Sequence, residues 1–346
     1  MLRRLRPHLV RSITQLRSAS KHAAGPVKNE WLLSKKNDEL RQTAVECGTS
    51  CSGTKQSLVD GLKDALVGLE GGNDTHGQNL SIISIDMGVR NLAYCNLQAK
   101  LDTTGALEGR HRMKVKVDAW RRIDMTGREN APSPDYGKVA RSGQAMEALK
   151  PVLAKEDFSP TIYAERAHGF ISEILQQHNP THVLIERQRF RSGGGPAVQE
   201  WTLRVGMFEF MLYATLHTLA KQEKHNAIVI PVQPAMVNRY WLSQNQDTST
   251  TAARPSSAAM KKYKIDLVGR ILGDATTAGY NLTYAHQARA LKEDFLDKIG
   301  RVKGRNKLSS SPKLDDLSDS LLQGLAWIGW QVNRKKLHFA MRPTAR

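Results

Sequence analysis

Two short apolar runs that each end in an acidic residue most constrain the fold of this chain. The run LSIISIDMG, which starts at Leu80, is almost continuously apolar and ends in Asp86, with Gly88 just beyond it. The run VLIE ends in Glu186 in the same way. Such runs are typical of strands that are buried on both faces of an α/β sheet. A carboxylate at the end of such a strand projects into the crevice where these sheets place their sites.

The segments around these runs predict a mixed sheet flanked by helices. NLAYCNLQ, the alternating MKVKVDAWRRID and NAIVIPV are further predicted strands. Amphipathic patterns predict helices over 161–179, 196–221 and 315–337, and a Lys-rich helix from about Ala258. Strands first, then helices alternating with strands, predict an α/β domain over 80–337.

The residues ahead of this domain predict three further parts. Residues 1–25 are Arg-rich, contain Ser, lack acids and place Leu at helical spacing, which is typical of a mitochondrial transit peptide. A basic arm that touches nucleic acid is the alternative. Residues 31–69 predict two short helices, with Gly48 ending the first and Thr54 as the N-cap of the second. The Gly-rich polar residues of 70–79 predict a linker.

The chain carries a large positive charge. It has 51 Lys and Arg against 33 Asp and Glu, a formal net charge of +18, and a basic tail over 338–346. This excess indicates a polyanionic partner, and nucleic acid is favoured over the general basicity of a compartment such as the mitochondrial matrix. The 3 cysteines do not make up a set of four zinc ligands. No stretch reaches the roughly 20 apolar residues of a membrane span, so no membrane partner is expected.

Three aspartates open the last predicted helix. In KLDDLSDS, Asp315 and Asp316 lie four and three residues before Asp319, so either pair shares one helical face. One aspartate is explained as a cap that complements the helix dipole, but three are not needed for that. With Asp86 and Glu186 they predict a cluster of four carboxylates. Hard oxygen ligands suit Mg²⁺ or Mn²⁺, and two such ions roughly 3.5–4 Å apart can activate a water and stabilise the leaving 3′ oxygen of a phosphodiester.

The motifs SIDMGVRNLAY, VLIERQRFRS and KLDDLSDSLLQ resemble those of the fungal mitochondrial Holliday junction resolvases, in the RuvC-like branch of the ribonuclease H fold. Residues 31–69 resemble a SAP domain, a small helical DNA-binding module, although Thr49 stands where that motif usually has Leu. The resemblance implies a homodimeric, Mg²⁺-dependent endonuclease of the mitochondrial matrix, with two ions per active site. It would nick two opposing strands of a four-way junction in mitochondrial DNA.

The resemblance also implies roles for the acids. Asp86 is then the first-strand acid, Glu186 the second, and Asp319 the distal acid of the helix. The RuvC-like spacing of three favours Asp316 as the partner of Asp319, but the doubled aspartate leaves Asp315 open.

The helix over 196–221 carries more apolar bulk than one sheet face needs. The residues concerned are Val198, Trp201, Val205, Phe208, Met211, Leu212 and Leu219. In related resolvases the equivalent helix forms the dimer interface, so the resemblance implies that role here. An ordinary core helix is the alternative.

Basic and aromatic residues near these motifs are candidate DNA contacts. Interleaved cations and aromatic rings suit phosphate contacts combined with base stacking. The alternative is a buried Phe190 and solvated charged faces. The candidates are Arg187, Arg189, Phe190 and Arg191 after the second acid, Lys261, Lys262 and Lys264 on the Lys-rich helix, and Thr54 and Lys55 in the SAP-like module.

Three functions remain open from the sequence. The first is a crossover junction endonuclease. The second is a ribonuclease H-like nuclease that acts on RNA–DNA hybrids or flaps, which the carboxylates cannot distinguish from the first. The third is a non-catalytic SAP-containing protein that binds junctions or packages mitochondrial DNA, and the intact set of acids disfavours it.

Overall fold

The computed structural model describes residues 29–67, 78–101, 113–126, 158–188, 200–244, 256–274, 279–303 and 314–341. The predicted transit peptide and nearly all of the predicted linker lie outside these residues, as do Arg189, Phe190 and Arg191. Two compact units are present. One contains the described parts of Met1–His76 and of Gly329–Arg346, and the other spans Gly77–Ile328.

The larger unit is built on a six-stranded mixed sheet. Its spatial order is β5-β4-β1-β2-β3-β6. Strands β1, β2 and β3 form an antiparallel meander, while β4 runs parallel to β1, β5 parallel to β4 and β6 parallel to β3. The strands are β1 (Gln78–Asp86), β2 (Leu92–Leu101), β3 (Met113–Ile123), β4 (His182–Glu186), β5 (Ile228–Val232) and β6 (Tyr280–Tyr284).

The helices follow the strands in an α/β order. In the described parts of the chain they are α1 (Asn29–Ser34), α2 (Asn37–Glu46), α3 (Lys55–Leu66), α4 (Pro160–His178), α5 (Glu200–Lys221), α6 (Pro234–Ser243), α7 (Ser257–Gly273), α8 (His286–Lys303) and α9 (Leu314–Ala340). None of these helices is long and apolar enough to cross a bilayer.

Apolar side chains on one face of the sheet pack against α4 and α5. Ile83 and Ile85 of β1 are fully buried there against residues such as Phe170 of α4 and Phe208 of α5. Burial of this kind stabilises a domain by roughly 25 cal/mol per Å² of apolar surface. Strands β1 and β4 lie inside the sheet and not at its edges, and this burial explains why their sequences are nearly continuously apolar.

Helix α9 packs against the central strands through hydrogen bonds as well as apolar contact. Ser84 Oγ of β1 donates to the carbonyl of Ser320 at 2.8 Å, and Gln323 Nε2 donates to the carbonyl of Ile85 at 3.1 Å. Gly324 allows this close approach, because a Cβ there would lie 2.6 Å from Leu97 Cδ1. The first half of α9 is thereby fixed directly over β1.

The smaller unit packs α1–α3 against the last turns of α9. Leu40, Leu58 and Leu62 share a core with Leu337 and Met341. The Arg334 guanidinium donates to the carbonyl of Cys47 at 2.7 Å and so satisfies a carbonyl at the end of α2. The Arg334 side chain of α9 therefore caps the carboxyl end of α2.

The α/β class with a mixed sheet is confirmed, and β1 and β4 end at the predicted acids. The single first helix predicted after residue 31 is wrong, because the chain breaks at Lys36. That residue is extended, and its N–H donates to Glu39 Oε2 at 2.8 Å, which starts a new helix. Gly48 and Thr54 act as predicted: Gly48 has φ +63°, and Thr54 accepts a hydrogen bond from the N–H of Ser57 at the start of α3.

Candidate active site

The two strand-end acids lie side by side at one edge of the sheet. Strands β1 and β4 are parallel neighbours with Ile85 opposite Ile185, so Asp86 and Glu186 follow at equivalent positions. Their carboxyl groups lie close enough to interact directly. The backbone N–H of Met87 also donates to Glu186 Oε2 at 3.4 Å. The structure therefore brings these two carboxylates together at the carboxyl ends of adjacent strands.

The first turns of α9 add further acids to this edge. Besides Glu186, the carboxylates that act on Asp86 are those of Asp319 and Asp316. Asp315 instead faces α7, where its Oδ2 accepts a hydrogen bond from Lys261 Nζ at 2.7 Å. The geometry thus separates the doubled aspartate, with Asp316 on the side of the strand acids and Asp315 on the side of α7.

Burial and the crowding of like charges strongly raise the pKa values of the acids in this cluster. Burial and then the neighbouring carboxylate of Glu186 raise the pKa of Asp86 well above its ordinary value. Burial, followed by the charges of Asp315 and Asp319, raises the pKa of Asp316 to about 7. Burial also raises the pKa of Asp319 to about 6, against the opposing charge of Lys264. The cluster therefore disfavours full ionisation unless positive charge enters it.

Two lysines of α7 supply part of that positive charge. Lys264 Nζ lies 2.5 Å from the carboxylate of Asp319, and its side chain is only 14% exposed. Lys261 lies at the outer side of the cluster with a 59% exposed side chain. Burial alone would raise the pKa of Asp315, but the hydrogen bond and charge of Lys261 outweigh it and hold that pKa below its ordinary value.

The chemistry of this donor set suits a divalent cation. Carboxylate oxygens are the ligands that Mg²⁺ and Mn²⁺ prefer, and a cation removes the repulsion that raises the pKa values of Asp86, Asp316 and Asp319. Within the described residues, however, no three His, Cys, Asp or Glu side chains are gathered closely enough to hold a metal ion as they stand. The composition and charge of the cluster fit the ion, while its carboxylates are not drawn together around one point.

A further acid, Glu209, supports the segment after Glu186 and was missed by sequence reasoning. It lies buried on α5, and its Oε2 accepts a hydrogen bond from the backbone N–H of Gln188 at 3.1 Å. Burial raises the pKa of Glu209, while that hydrogen bond and the charge of Arg187 lower it. An acid within the apolar run MFEFML was the signal that could have identified it.

The predicted DNA contacts are distributed over both units. Arg187 follows β4 directly, and its N–H donates to the carbonyl of Val232 at 2.8 Å. Lys262 is exposed on α7 between the two lysines that face the acids. Thr54 and Lys55 lie at the start of α3 in the smaller unit. These positions leave the DNA-contact assignments as predictions.

Comparison with known proteins points to one family. The family model described as mitochondrial resolvase Ydc2 / RNA splicing MRS1 matches residues 82–337. The chain is 24% identical over 296 residues to cruciform cutting endonuclease 1, mitochondrial, of Schizosaccharomyces pombe, covering 83% of this chain and 89% of that protein. It is 22% identical over 283 residues to the protein of the same name from Saccharomyces cerevisiae, covering 75% of this chain and 70% of the relative.

The fold is also found in a solved structure. The crystal structure of the yeast mitochondrial Holliday junction resolvase Ydc2 superimposes with a TM-score of 0.53 at 22% identity, over 88% of this chain and 98% of that chain. The likeness confirms the ribonuclease H-like class of the sheet and its helices.

The raised pKa of Asp316 predicts how the stability of the metal-free protein depends on pH. The folded-state pKa of about 7 lies above the ordinary value of 3.8, so the folded state holds an extra proton between these values. The stabilisation from this proton is complete below about pH 4 and is lost as the pH rises through 7. Asp316→Asn removes the charge. Its melting temperature should exceed that of the wild type by about 2–4 °C at pH 8, the effect of about 1 kcal/mol in a domain of this size, and should match it near pH 4.

Calorimetry in a chelating buffer from pH 4 to pH 8 measures this difference. Asp294→Asn is the matched control, because it removes a carboxylate of α8 that pairs with Lys298 and does not belong to the acid cluster. That variant should not gain stability over the wild type at pH 8. Equal melting temperatures of Asp316→Asn and the wild type at pH 8 would contradict the assignment of a repulsive cluster.

Proposed function

Since the chain belongs to the mitochondrial resolvase Ydc2 / RNA splicing MRS1 family, we propose that it is a structure-selective endonuclease that resolves four-way DNA junctions by paired nicks. The relatives named above are cruciform cutting endonucleases of mitochondria. The substrate proposed is accordingly a junction in mitochondrial DNA. The family description also names an RNA splicing protein, so membership alone does not distinguish a nuclease from a binding protein.

The observation that carries the proposal is the gathering of acids at one edge of the sheet. Glu186, Asp319 and Asp316 all act on the buried Asp86 and raise its pKa. A cluster of repelling carboxylates is unfavourable in a protein that only binds nucleic acid, because the carboxylates also repel the phosphates of the DNA. A hydrolase can use the same carboxylates to bind cations, which remove the repulsion between them. The cluster therefore favours catalysis over a solely binding role.

The proposed metal ligands are Asp86, Glu186, Asp316 and Asp319, which would hold two Mg²⁺ ions, with Mn²⁺ as a substitute. When bound, such ions supply an activated water and stabilise the leaving 3′ oxygen. The chain itself positions the carboxylates, since the strand ends and α9 are fixed to each other. Lys264 keeps the charge of Asp319 partly balanced. The surplus of 51 Lys and Arg over 33 Asp and Glu attracts the phosphate backbone, with Lys262 and Arg187 as contacts near the cluster.

The N-terminal parts of the chain have proposed roles as well. Residues 1–25 are proposed to direct the protein to the mitochondrial matrix, in line with the mitochondrial names of its relatives. The helices within 31–69 are proposed as a SAP-like DNA-binding module, with Thr54 and Lys55 at the start of α3 facing the DNA. The nuclease domain is proposed to span 80–337.

A homodimer is proposed through the exposed side of α5. Val205, Phe208 and Leu212, which the sequence placed among the interface residues, are buried in the core of the same chain. A different stripe is open to solvent, with Leu203 44%, Met207 47% and Phe210 67% exposed. These three lie on one face of the helix by their spacing. Two-fold pairing of such stripes would present two active sites to the two strands of a junction.

The nuclease proposal predicts the effect of one substitution in the cluster. Asp86→Asn should reduce the rate of junction cutting by on the order of 10³-fold or more, the scale of losing an essential catalytic group, while binding is retained. Single-turnover cleavage of a synthetic four-way junction with Mg²⁺ measures the rate, and gel-shift titration measures the binding. Asp118→Asn, which removes a carboxylate from β3 of the same sheet, is the control and should cut normally.

The products identify the function. Paired symmetric nicks support a junction resolvase, whereas cutting of hybrids or flaps in place of junctions would identify a different nuclease of the same fold. Binding without nicks would identify a junction-binding protein. Undiminished cutting by Asp86→Asn would show that the acid cluster is not the catalytic centre.

The dimer proposal predicts that a charge on the exposed stripe weakens association. Phe210→Glu places a carboxylate on the most exposed apolar residue of α5, so the dissociation constant should rise at least about tenfold, given 1.5–3 kcal/mol for each buried side chain of this size. Thr218→Glu, at an exposed polar position of the same helix, is the control. Sedimentation measures both variants. A wild-type protein that stays monomeric at micromolar concentration would exclude this interface.

A further inference from the structure

A basic residue near the end of β3 lies on the same face of the sheet as the first strand acid. The register of the meander places Asp86 opposite Ala93 and Ala93 opposite Arg122. Residues of such a row point to one face, and neighbouring strands are about 4.8 Å apart. This is the face that α9 covers, since Ser84 on the same face of β1 donates to that helix. The small Ala93 leaves space between Asp86 and the longer Arg122 side chain.

A hydrogen bond fixes the end of β3 beside the first turns of α9. Trp120, two residues before Arg122 and on the same face of β3, donates from its indole N–H to the carbonyl of Leu317 at 3.1 Å. Leu317 directly follows Asp316 in the chain. Burial and the neighbouring acids raise the pKa of Asp316, and the positive charges of Lys261 and Arg122 act against them. The charge of Arg122 therefore reaches the acid cluster.

The two lysines beside the cluster already have partners. Lys264 Nζ lies 2.5 Å from the carboxylate of Asp319, and Lys261 Nζ lies 2.7 Å from that of Asp315. Arg122 differs from both, because in the described parts of the chain its side chain makes no hydrogen bond and no ion pair. It is also exposed to solvent. Among these three cations, Arg122 is therefore the one whose donors are open to a ligand.

The chemistry of an arginine suits a phosphate at this position. Its planar guanidinium keeps its charge and presents donors that match two oxygens of one phosphate. The acid nearest in sequence, Asp124, is used locally: its Oδ1 accepts from the N–H and the hydroxyl of Thr126 at 2.8 Å and 2.6 Å. These bonds hold the Asp124 carboxylate in its own turn, so it does not occupy the Arg122 guanidinium.

We propose that Arg122 is a phosphate-binding residue of the active site, which holds the cut strand by the scissile phosphate or its immediate neighbour and orients it over the acid cluster. The inference rests on the proposed junction-cutting function. The acids repel phosphate, so a fixed cation on the β3 side supplies an attraction where the strand must enter. A guanidinium there also stabilises the negative charge that develops on the phosphate oxygens during cleavage.

A role limited to balancing the charge of Asp316 is the alternative. Such a residue would be expected to pair directly with its acid, as Lys264 does with Asp319. Arg122 acts on Asp316 through its charge but makes no ion pair with it, and its side chain is exposed. The two roles differ in one measurable respect, because only a phosphate contact depends on one particular phosphate of the DNA.

A scan of single phosphates tests the contact. Synthetic four-way junctions carry one uncharged methylphosphonate, placed in turn at each phosphate of the cut strand near the crossover. Gel-shift titration with Mg²⁺ compares Asp86→Asn with Asp86→Asn/Arg122→Gln. One methylphosphonate should weaken binding of Asp86→Asn about tenfold, the scale of a lost charge-assisted contact, and should have no further effect on the double variant.

Two further variants serve as comparisons. Arg122→Lys keeps the charge but not the paired donors, so it should retain only part of the effect. Lys114→Gln is the matched control, because Lys114 is an exposed cation of the same strand at its other end, opposite Asn281 of β6. It removes the same charge and should leave the pattern of the scan unchanged. Melting temperatures confirm that the variants are folded. A loss of equal size at every phosphate, or an unaltered pattern in the Arg122→Gln variant, would overturn the contact.

Cutting rates separate this inference from the proposed function. In single-turnover reactions at saturating protein, Arg122→Gln should cut junctions at least about tenfold more slowly than the wild type, and Lys114→Gln should cut at the wild-type rate. An undiminished rate in Arg122→Gln would exclude the orienting role. If the wild type cuts no junction, the nuclease proposal fails, while a phosphate whose effect depends on Arg122 still supports the contact. If junctions are cut but no such phosphate is found, the contact alone is excluded.

Discussion

The hydrogen bonds that fasten the first half of α9 to the sheet are the constraint on which the candidate site depends. Ser84 of β1 and Trp120 of β3 donate to carbonyl oxygens of this helix, at Ser320 and Leu317. Gly324 lets the helix lie close enough for these bonds to form. Because successive residues of a helix point in different directions, this fixed rotation decides which acid reaches Asp86. The backbone thus holds the carboxylates together in spite of their repulsion.

The positive net charge of the protein and its local cluster of acids have opposite effects on a bound phosphate. A net charge of +18 favours binding to DNA, but the acid cluster of Asp86, Glu186, Asp316 and Asp319 would repel phosphate unless cations enter it. Lys264 already balances Asp319, and the raised pKa of Asp316 shows that the balance is incomplete. Divalent ions would complete this balance and would turn the acid cluster into a phosphate-binding surface.

Much of the sheet, and the positions of two of its acids, could be predicted from the sequence, because buried strands have a strongly apolar pattern. Asp86 and Glu186 were located from the ends of such runs. The choice between Asp315 and Asp316 could not be made, since spacings of three and four residues share a helical face and only tertiary packing sets its rotation. The exposed stripe that includes Phe210 was missed for a related reason: α5 is apolar on several sides, so its pattern does not show which side is covered. The short strand β6 and the helices α6 and α8 were also not predicted, because short or weakly apolar segments are difficult to distinguish from loops by their sequence pattern.

Binding of Mn²⁺ tests the central claim most directly, that Asp316 and not Asp315 joins the strand acids in a cation site. Titration of Mn²⁺ into the protein, followed by electron paramagnetic resonance, counts the bound ions without requiring DNA or cutting. The wild type and Asp315→Asn should bind Mn²⁺ alike, whereas Asp316→Asn should bind it at least about tenfold more weakly, because one of the four carboxylate ligands is lost. Unchanged binding in Asp316→Asn, together with weakened binding in Asp315→Asn, would contradict this account.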